Sequence, residues 1–462
     1  MVTVRTFRSV YLKTEPQCRD RCLATVRALL IMSRSLSFPR TLQCWNTVKG
    51  CMGIHHYKWY HPPPPVPNAH KGMIVDLRSD TITKPTDGMK KAMMDALLGD
   101  DVYREDPTVS ELEHRMSVLT GKEAALFVPS GTMGNLIAVL GHCEQRGCEA
   151  LLGDQAHIFL YEQAGMAQLG GVQFHMLPTS PNGTFNSQDI LSRLGGVQPH
   201  IIPTASDGTF NSQEILSRFR DADVHCPKSA LVCIENTHNV CGGKVLPCHW
   251  IDEVGSIAHS IGLPLHLDGA RLMNAVIASG ISAERILQSC DTASICFSKG
   301  LGTPVGSVIV GSEEFIQKAL RLRKVLGGGM RQAGMLAAAA LYALDNMVER
   351  LADDHMHAKC LAEAISGTGS KNVTCKPDDV HTNIVIVNLN LAAITPEEFC
   401  NRLAVVSEDE SREIGEEVAI KVLPWTATAV RFVTHHDVFH EGIEATIAKL
   451  KYVIREIDSK VR

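Results

Sequence analysis

Short apolar runs recur between residues 74 and 310, and most are followed by a polar or glycine-rich segment and then by a stretch with helical spacing. The runs at 124–128, 230–235, 265–267 and 295–297 have the length and the residue types of buried strands. Strands that alternate with helices predict an α/β fold with a mostly parallel sheet. Ligands bind beyond the carboxyl ends of the strands in such sheets, so the residues directly after these runs are candidates for chemistry.

Two helices can be placed from their end signals. Asp106 stands before Pro107 and Gly121 follows the apolar periodicity, which predicts a helix over 109–119. Apolar residues at helical spacing predict a second, long helix over 335–355. This helix leads into a last region with predicted strands at 382–388 and 429–433.

Composition divides the 462 residues into three regions: a leader at 1–73, a large domain at 74–340 and a small α+β domain at 341–462. The formal net charge is −5, but residues 1–73 hold 11 Lys and Arg against 2 Asp and Glu, so the remaining chain carries −14. An acidic body argues against nucleic acid as a partner. The Arg- and Ser-rich leader, which a proline-rich spacer at 61–67 separates from the body, predicts mitochondrial targeting, with a cytoplasmic location as the alternative.

The 15 cysteines form no C-x-x-C pair and no zinc-type spacing, so we expect free thiols and no metal site. The longest early apolar run is far shorter than a membrane span requires, so we expect no membrane partner. A direct repeat occupies 170–194 and 195–219. Two copies do not form a solenoid, so we expect one copy to be a surface insertion without chemistry.

Lys299 is the first residue that points to a specific chemistry. It follows the apolar run 295–297 and precedes Gly300 and Gly302, so it ends a buried strand on a backbone that can approach a ligand closely. Burial there favours the neutral amine, which can form an imine. Asp268 ends an earlier apolar run and is followed by Arg271. A lysine that binds an aldehyde and a carboxylate that keeps a pyridinium protonated are what pyridoxal phosphate requires.

Other strand ends carry weaker signals. The turn that contains Gly131 and Thr132 lies between a strand and a helix, where backbone N–H groups can bind a phosphate. His157 could stack on a planar ring, although a structural role is the simpler interpretation of a single histidine, and His238 follows another strand. Arg431 is a charge within an apolar strand pattern, and a substrate carboxylate could neutralise it.

The motifs DLRSDT, GDDVYREDPT, SGTMGN, ENTHN, HLDGAR, SKGLGTPVGS, GGGMRQ and VTHHDV occur in this order. The chain from about residue 74 to its end thereby resembles the low-specificity L-threonine aldolases, a family of pyridoxal-phosphate enzymes. The resemblance implies fold type I, that of aspartate aminotransferase: a large domain on a mostly parallel seven-stranded sheet and a smaller C-terminal α+β domain. It also implies a homo-oligomer, a dimer or a dimer of dimers, that acts on a small amino acid.

The resemblance further implies roles for individual residues. Lys299 would carry the cofactor, Asp268 would contact the pyridinium nitrogen, and His157 would stack on the ring. Gly131 and Thr132 would bind the phosphate. The residues expected to contact cofactor oxygen or the substrate carboxylate are Arg271, Arg431 and Ser79. Tyr103 and Arg331 would act across a subunit boundary, at the substrate and the cofactor respectively.

The chain departs from the family pattern at two positions where glycine is usual, Arg104 and Ala164. The implied reaction is a retro-aldol cleavage of L-threonine or L-allo-threonine to glycine and acetaldehyde. The base that takes the β-hydroxyl proton is His157, His238 or an activated water, and the sequence leaves this choice open. The alternatives are a lyase for other β-hydroxy amino acids such as phenylserine, and a catalytically silent homologue.

Overall fold

The computed structural model describes residues 72–177, 205, 207–221 and 223–461. The leader, apart from its last two residues, and most of the repeat at 170–219 lie outside the described residues, so the targeting and insertion hypotheses stay predictions, as does the domain boundary at 340. No helix in the described part of the chain combines the length and the apolar character needed to cross a membrane.

The strands in chain order are Met73–Asp76 (β1), Ala124–Val128 (β2), Cys148–Gly153 (β3), Gln173–Leu177 (β4), Lys228–Glu235 (β5), Leu265–Gly269 (β6), Thr292–Cys296 (β7), Ser307–Gly311 (β8), Val373–Thr374 (β9), Ile384–Leu389 (β10), Val418–Lys421 (β11), Leu423–Thr426 (β12) and Ala429–Val433 (β13).

The helices are Asp87–Asp95 (α1), Pro107–Thr120 (α2), Gly131–His142 (α3), His157–Leu160 (α4), Gly165–Gly170 (α5), Gln213–Arg218 (α6), Cys248–Ser260 (α7), Leu272–Ser279 (α8), Ala283–Ile286 (α9), Glu313–Val325 (α10), Gly334–Asn346 (α11), Leu351–Ser366 (α12), Pro396–Ala404 (α13), Glu408–Ile414 (α14) and His440–Lys460 (α15). Short 3₁₀ turns occupy Asp80–Ile82, Asp101–Tyr103 and Pro377–Asp379.

Seven strands form the central sheet, in the order β2-β8-β7-β6-β5-β3-β4. The pairs from β4 to β7 are parallel, and β8 runs antiparallel to both of its neighbours. The strands β5, β6 and β7 are buried along nearly their whole length, as expected for parallel strands covered by helices on both faces. The predicted α/β architecture is therefore confirmed.

The C-terminal region builds a second, antiparallel sheet in the order β12-β13-β10-β9. The separate pair β1–β11 is parallel, so the segment that opens the predicted large domain pairs with the C-terminal region. Strand β13 lies between β10 and β12 and is buried throughout, which places Arg431 inside the protein. A smaller α+β region beside the large sheet agrees with the prediction.

The helix predicted over 109–119 is confirmed as α2, and its signals have the expected roles. The Asp106 carboxylate accepts hydrogen bonds from the N–H groups of Thr108 and Val109, each at 3.1 Å, and Gly121 ends the helix in a left-handed conformation.

The single helix predicted over 335–355 is wrong. The backbone turns at 347–350, with short-range hydrogen bonds such as that from Leu351 N–H to Val348 O at 3.1 Å, and α11 and α12 are separate helices. Residues 347–350 contain neither glycine nor proline. Tertiary packing therefore sets the break: Leu351 is fully buried, and its Cδ2 would lie 3.0 Å from a Cβ added to Gly300 in the turn after β7.

Candidate active site

The carboxyl ends of β5, β6 and β7 lie side by side in the middle of the sheet. Glu235 pairs in register with Asp268, and Asp268 pairs with Ser294. Lys299 follows β7 by three residues. These strand ends place Asp268, which was predicted from the sequence, next to Glu235, which was not; the two side chains are 2% and 5% exposed.

Lys299 lies in a tight turn that its own backbone closes. Its carbonyl oxygen accepts hydrogen bonds from Gly302 N–H at 2.8 Å and from the Thr83 hydroxyl at 3.2 Å. Gly302 has φ +78°, and a Cβ there would come within 2.6 Å of His436 Nε2. Glycine is therefore required at this position by both conformation and space, and the turn fixes the backbone from which the lysine extends.

The turn that contains Gly131 begins α3, a 12-residue helix capped by the Ser130 hydroxyl, which accepts from Met133 N–H at 3.2 Å. A Cβ on Gly131 would lie 2.5 Å from the Sγ of Cys296, the last residue of β7. The helix N-terminus is thereby pressed against the strand that leads to Lys299. The first N–H groups of a helix, here those of Gly131 and Thr132, have no partner within the helix and favour an anion.

Asp268 and His157 are connected through two side chains that the sequence analysis did not select. The amide nitrogen of Asn135 donates to Asp268 Oδ2 at 2.9 Å and to Glu162 Oε1 at 2.8 Å. His157 Nδ1 lies 3.0 Å from the same Glu162 oxygen. Polar atoms of His157, Glu162 and Asp268 all lie within 4.8 Å of one another, so these side chains line one end of the site.

The charge state of His157 follows from these neighbours. Burial disfavours the imidazolium, but the hydrogen bond to Glu162 and the charges of Asp268 and Glu235 outweigh it and raise the pKa of His157, while Lys299 opposes the shift. The charges on Asp268, Glu235 and Lys299 thus all act on one ring. The backbone N–H of His157 also donates to Glu235 Oε2 at 2.7 Å, and this hydrogen bond anchors the start of α4 at the end of β5.

Arg271 forms a two-pronged ion pair with Asp80. Its Nε and Nη2 donate to the two Asp80 oxygens at 2.8 and 2.7 Å, and both side chains are buried. Burial opposes ionisation of Asp80, yet the Arg271 charge and hydrogen bonds prevail and hold the pKa of this carboxyl well below its usual range. Lys299 contributes to the same shift, so the ion pair lies within electrostatic reach of the lysine.

Arg431 is buried without a carboxylate partner in the part of the chain that the structure describes. Its Nη1 donates to Asn239 Oδ1 at 3.0 Å and its Nη2 to the Arg78 carbonyl at 3.3 Å, whereas its buried Nε has no partner among the described residues. The guanidinium lies 4.1 Å from the centre of the Trp425 ring. Burial and the nearby Arg271 lower the pKa of Arg431 to about 10.

Asn239 connects the two arginines, because its Oδ1 also accepts from Arg271 Nη1 at 3.3 Å. The backbone N–H of Asn239 donates to Glu235 Oε1 at 2.8 Å. The strand-end carboxylate of β5 therefore orients both the arginine pair and the loop that carries His157. Asp80 pairs with Arg271, whereas Arg431 has no carboxylate partner among the described residues, so its charge can attract a ligand carboxylate.

Ser79 lies beside this cluster, since it is adjacent to both Arg78 and Asp80. Its hydroxyl accepts from the N–H of Thr81 at 3.2 Å and from the Thr81 hydroxyl at 2.9 Å, and its own hydroxyl proton can face a ligand. His238 is buried, and its Nδ1 accepts a hydrogen bond from Cys241 N–H at 3.4 Å.

Tyr103 and Arg331 form a separate pair. The Tyr103 side chain is 71% exposed, and the Arg331 guanidinium lies 6.0 Å from its ring centre and donates to Asp100 at 2.9 Å. Among the described residues, no hydrogen bond or ion pair joins either of them, or His238, to Lys299, Asp268 or His157. Their assigned roles therefore stay predictions.

The two departures from the family pattern both occupy left-handed backbone. Arg104 has φ 60° and Ala164 has φ 52°, a region in which glycine is favoured. The Arg104 side chain forms ion pairs with Asp101 and the buried Glu113, which compensate for the strained backbone. For Ala164 no such compensation is present in the described contacts.

Several residues of this site were missed by sequence reasoning: Asp80, Asn135, Glu162, Glu235, Asn239 and Trp425. Asp80, Asn135, Glu235 and Asn239 lie inside the motifs DLRSDT, SGTMGN and ENTHN, which were selected for other residues. Polar residues at predicted strand ends and helix starts were a usable signal for these four, whereas Glu162 lies at no predicted element end. Trp425 gave no such signal.

Comparison with known proteins agrees with this arrangement. Residues 76–390 match the model of the beta-eliminating lyase family. The chain is 44% identical over 375 residues to the probable low-specificity L-threonine aldolase 2 of Arabidopsis thaliana, covering 81% of this chain and 95% of that protein. It is 40% identical over 376 residues to the low specificity L-threonine aldolase of Escherichia coli K12, covering 81% and 98%.

A crystal structure of a putative L-allo-threonine aldolase from Listeria monocytogenes superposes with a TM-score of 0.63 at 20% identity, covering 82% of this chain and 96% of that one. This similarity supports the fold. Sequence identity over nearly the full length of the relatives supports the closer relationship. The chain therefore belongs to the beta-eliminating lyase family, within its group of low-specificity L-threonine aldolases.

Proposed function

We propose that the protein is a pyridoxal-phosphate-dependent aldolase that cleaves L-threonine and L-allo-threonine to glycine and acetaldehyde, removing threonine and supplying glycine. The observation that carries the proposal is the cluster at the carboxyl ends of β5, β6 and β7. There, a lysine turn, a buried strand-end carboxylate and two buried arginines lie around one site. The relatives named above carry this activity in their names.

The residues present fit the cofactor. Lys299 supplies the amine for its aldehyde, Asp268 a buried carboxylate for its ring nitrogen, and the α3 N-terminus N–H groups for its phosphate. A Cβ at Gly131 would press against Cys296 and fill the cradle between helix and strand. When bound, pyridoxal phosphate supplies an electron sink for the bond that breaks at Cα.

The substrate carboxylate would bind at Arg431, Arg271 and Ser79. Arg431 supports this role because it is a buried cation that retains an unpaired Nε and lacks an internal carboxylate among the described residues. Trp425 covers the guanidinium and restricts its motion and its access to water. A carboxylate held at this point fixes the orientation of the Cα–Cβ bond, and such positioning accounts for much of the rate gain in enzymes.

His157 is favoured over His238 as the base that accepts the β-hydroxyl proton. Its Nδ1–H donates to Glu162, which leaves Nε2 as the atom that can accept a proton. His238 interacts instead with its own loop, at Cys241 and Lys244. A water molecule activated by His157 would use the same atom. Because the pKa of His157 is raised, the base form accumulates only as the pH rises through that value.

We also propose that the enzyme is a homo-oligomer, a dimer or a dimer of dimers. Large apolar side chains are exposed near the ends of α1, α10 and α11, of which α1 and α11 pack against each other: Met94, Leu97, Tyr103, Val325 and Met335. Such a patch is typical of an interface. A second copy there would bury Tyr103 and Arg331, in agreement with roles across a subunit boundary. Sedimentation analysis of the wild type and of Leu97→Asp tests this, because a charge in the interface should yield monomers.

The mitochondrial location stays a proposal that rests on the composition of residues 1–73. Fusion of these residues to a fluorescent protein should direct it to mitochondria. A diffuse cytoplasmic signal would favour the alternative.

The activity is tested by incubation of the cofactor-loaded protein with L-threonine, L-allo-threonine and L-phenylserine, with glycine and aldehyde both quantified. We expect equal amounts of glycine and acetaldehyde from both threonine isomers, and a loss of activity in Lys299→Ala. Benzaldehyde as the dominant product would support the alternative lyase. A protein that binds cofactor but cleaves none of the three would support a silent homologue.

A further inference from the structure

A chain of buried hydrogen bonds extends from Asp268 away from the substrate side of the site. The amide nitrogen of Asn135 contacts Asp268, and the amide oxygen of Asn135, Oδ1, lies 3.1 Å from His266 Nε2. His266 Nδ1 is 3.0 Å from the Thr292 hydroxyl, which is 3.1 Å from His142 Nε2. Asn135, His266 and Thr292 are each 2% exposed or less. The chain thus crosses from α3 through β6 to β7 and back to the end of α3.

The carboxylates fix the proton positions at the Asn135 end. The Asn135 Nδ2 faces oxygens of both Asp268 and Glu162, at 2.9 and 2.8 Å, so this atom must be the amide nitrogen. A rotated amide would place its oxygen against two carboxylates. The Oδ1 therefore faces His266 and can only accept, which means that His266 Nε2 carries a hydrogen.

The remaining proton positions follow. Burial lowers the pKa of His266 to about 3, so the ring is neutral and carries one hydrogen, at Nε2. Its Nδ1 must accept from the Thr292 hydroxyl, and the Thr292 oxygen must accept from His142 Nε2–H. Every donor in the chain points one way, toward Asp268, and every acceptor within it is satisfied.

We propose that His266 and Thr292 are positioning residues that hold the Asn135 amide, and through it the Asp268 carboxylate, in one orientation toward the cofactor's ring nitrogen. The inference rests on the proposed function and extends it to residues that touch neither cofactor nor substrate. Asp268 Oδ1 accepts from Ala270 N–H at 3.1 Å, so the carboxylate is fixed at both oxygens. The chain of hydrogen bonds from His142 to Asp268, called the relay below, carries no positive charge of its own. The negative charge of Asp268 therefore stays available to the pyridinium.

The test compares Thr292→Val, which keeps the shape but removes the hydroxyl, with Thr292→Ser, which keeps the hydroxyl. Thr446→Val is the matched control, because Thr446 is fully buried and its hydroxyl donates to the Gly442 carbonyl in α15 at 2.7 Å. The readout is the dissociation constant of pyridoxal phosphate from equilibrium dialysis, with urea unfolding of each cofactor-free protein as a measure of folding.

We expect Thr292→Val to weaken cofactor binding by about five- to tenfold, the size of one lost hydrogen bond. Thr292→Ser should restore binding to within about twofold, since its hydroxyl can still donate to His266. The Thr446→Val control should bind cofactor as the wild type does, even if its free energy of unfolding falls as much as that of Thr292→Val. A purely structural role for Thr292 would lower stability without this pattern of loss and rescue.

Thr292→Val with wild-type affinity, or Thr292→Ser as weak as Thr292→Val, would overturn the inference. If Thr292→Val does not fold, His142→Phe takes its place in the test. Phenylalanine keeps an aromatic ring stacked on Phe315, whose ring centre lies 4.7 Å from that of His142, and removes only the donor to Thr292. Binding weakened by about two- to threefold supports the relay, and unchanged binding overturns it. A wild type without affinity for the cofactor overturns the proposed function, and the inference with it.

Discussion

Removal of the buried anion at Asp80 should cost far more stability than removal of an equivalent surface anion. Asp80 and Asp252 each bind an arginine through two hydrogen bonds, Arg271 at 2.8 and 2.7 Å and Arg285 at 3.1 and 2.6 Å. The side chains of the first pair are 6% and 0% exposed, and those of the second pair 43% and 33%. The two substitutions Asp80→Asn and Asp252→Asn therefore differ mainly in burial.

The magnitude follows from what remains after the change. Asp80→Asn leaves Arg271 buried without its charge partner, and Arg431 lies near enough for the two guanidinium groups to repel each other. Breaking a buried ion pair in this way costs about 3–5 kcal/mol. Asp252→Asn removes a solvent-exposed ion pair, and such pairs contribute about 0–1 kcal/mol.

Urea unfolding at fixed protein concentration measures both differences. The pKa of Asp80 is depressed, so its contribution is fully present above the unfolded value of about 3.9 and is lost as the pH falls below it. The gap between the wild type and Asp80→Asn should thus be the same at pH 6 and pH 8. A gap of less than about 1 kcal/mol, or one equal to that of Asp252→Asn, would refute the argument that burial makes this ion pair essential.

Three further outcomes are expected. Gly131→Ala should weaken cofactor binding in dialysis by about tenfold or more, because its Cβ would lie 2.5 Å from Cys296 Sγ; unchanged affinity would place the phosphate elsewhere. Ala164→Gly should raise the free energy of unfolding by about 0.5–1 kcal/mol, since a residue at φ 52° is released from strain; a loss of stability would show that the turn depends on the methyl group. Glu162→Gln should lower the pKa of His157 and shift the acidic limb of the pH profile of kcat/KM to lower pH, whereas an unmoved limb would assign the base to another group.

The sequence was most informative where chemistry coincides with a local pattern. Lys299 and Asp268 follow apolar runs, so their positions at the sheet edge follow from the strand pattern alone. The partner of Arg271 could not be found in this way, because Asp80 is 191 residues away and approaches through tertiary packing.

Other features were accessible in principle. His266 and Asp268 are two residues apart on β6 and therefore share a face, so the relay behind Asp268 could have been suspected from strand periodicity. The break between α11 and α12 could not, since residues 347–350 carry no local helix-breaking signal and the turn depends on how Leu351 packs. Trp425 could not be predicted either, because it contacts Arg431 from a neighbouring strand. Trp425 lies on β12 and Arg431 on β13, and the pairing of these two strands shifts register between Pro424 and Thr426.

We propose that Lys299 is the residue to which the cofactor binds covalently. Borohydride reduction of the cofactor-loaded wild type makes such a link permanent, and peptide mapping by mass spectrometry then locates it. We expect one pyridoxyl phosphate group per chain, on Lys299, and none in Lys299→Ala. A label on another lysine, or an unlabelled Lys299 in protein that has bound the cofactor, would contradict it.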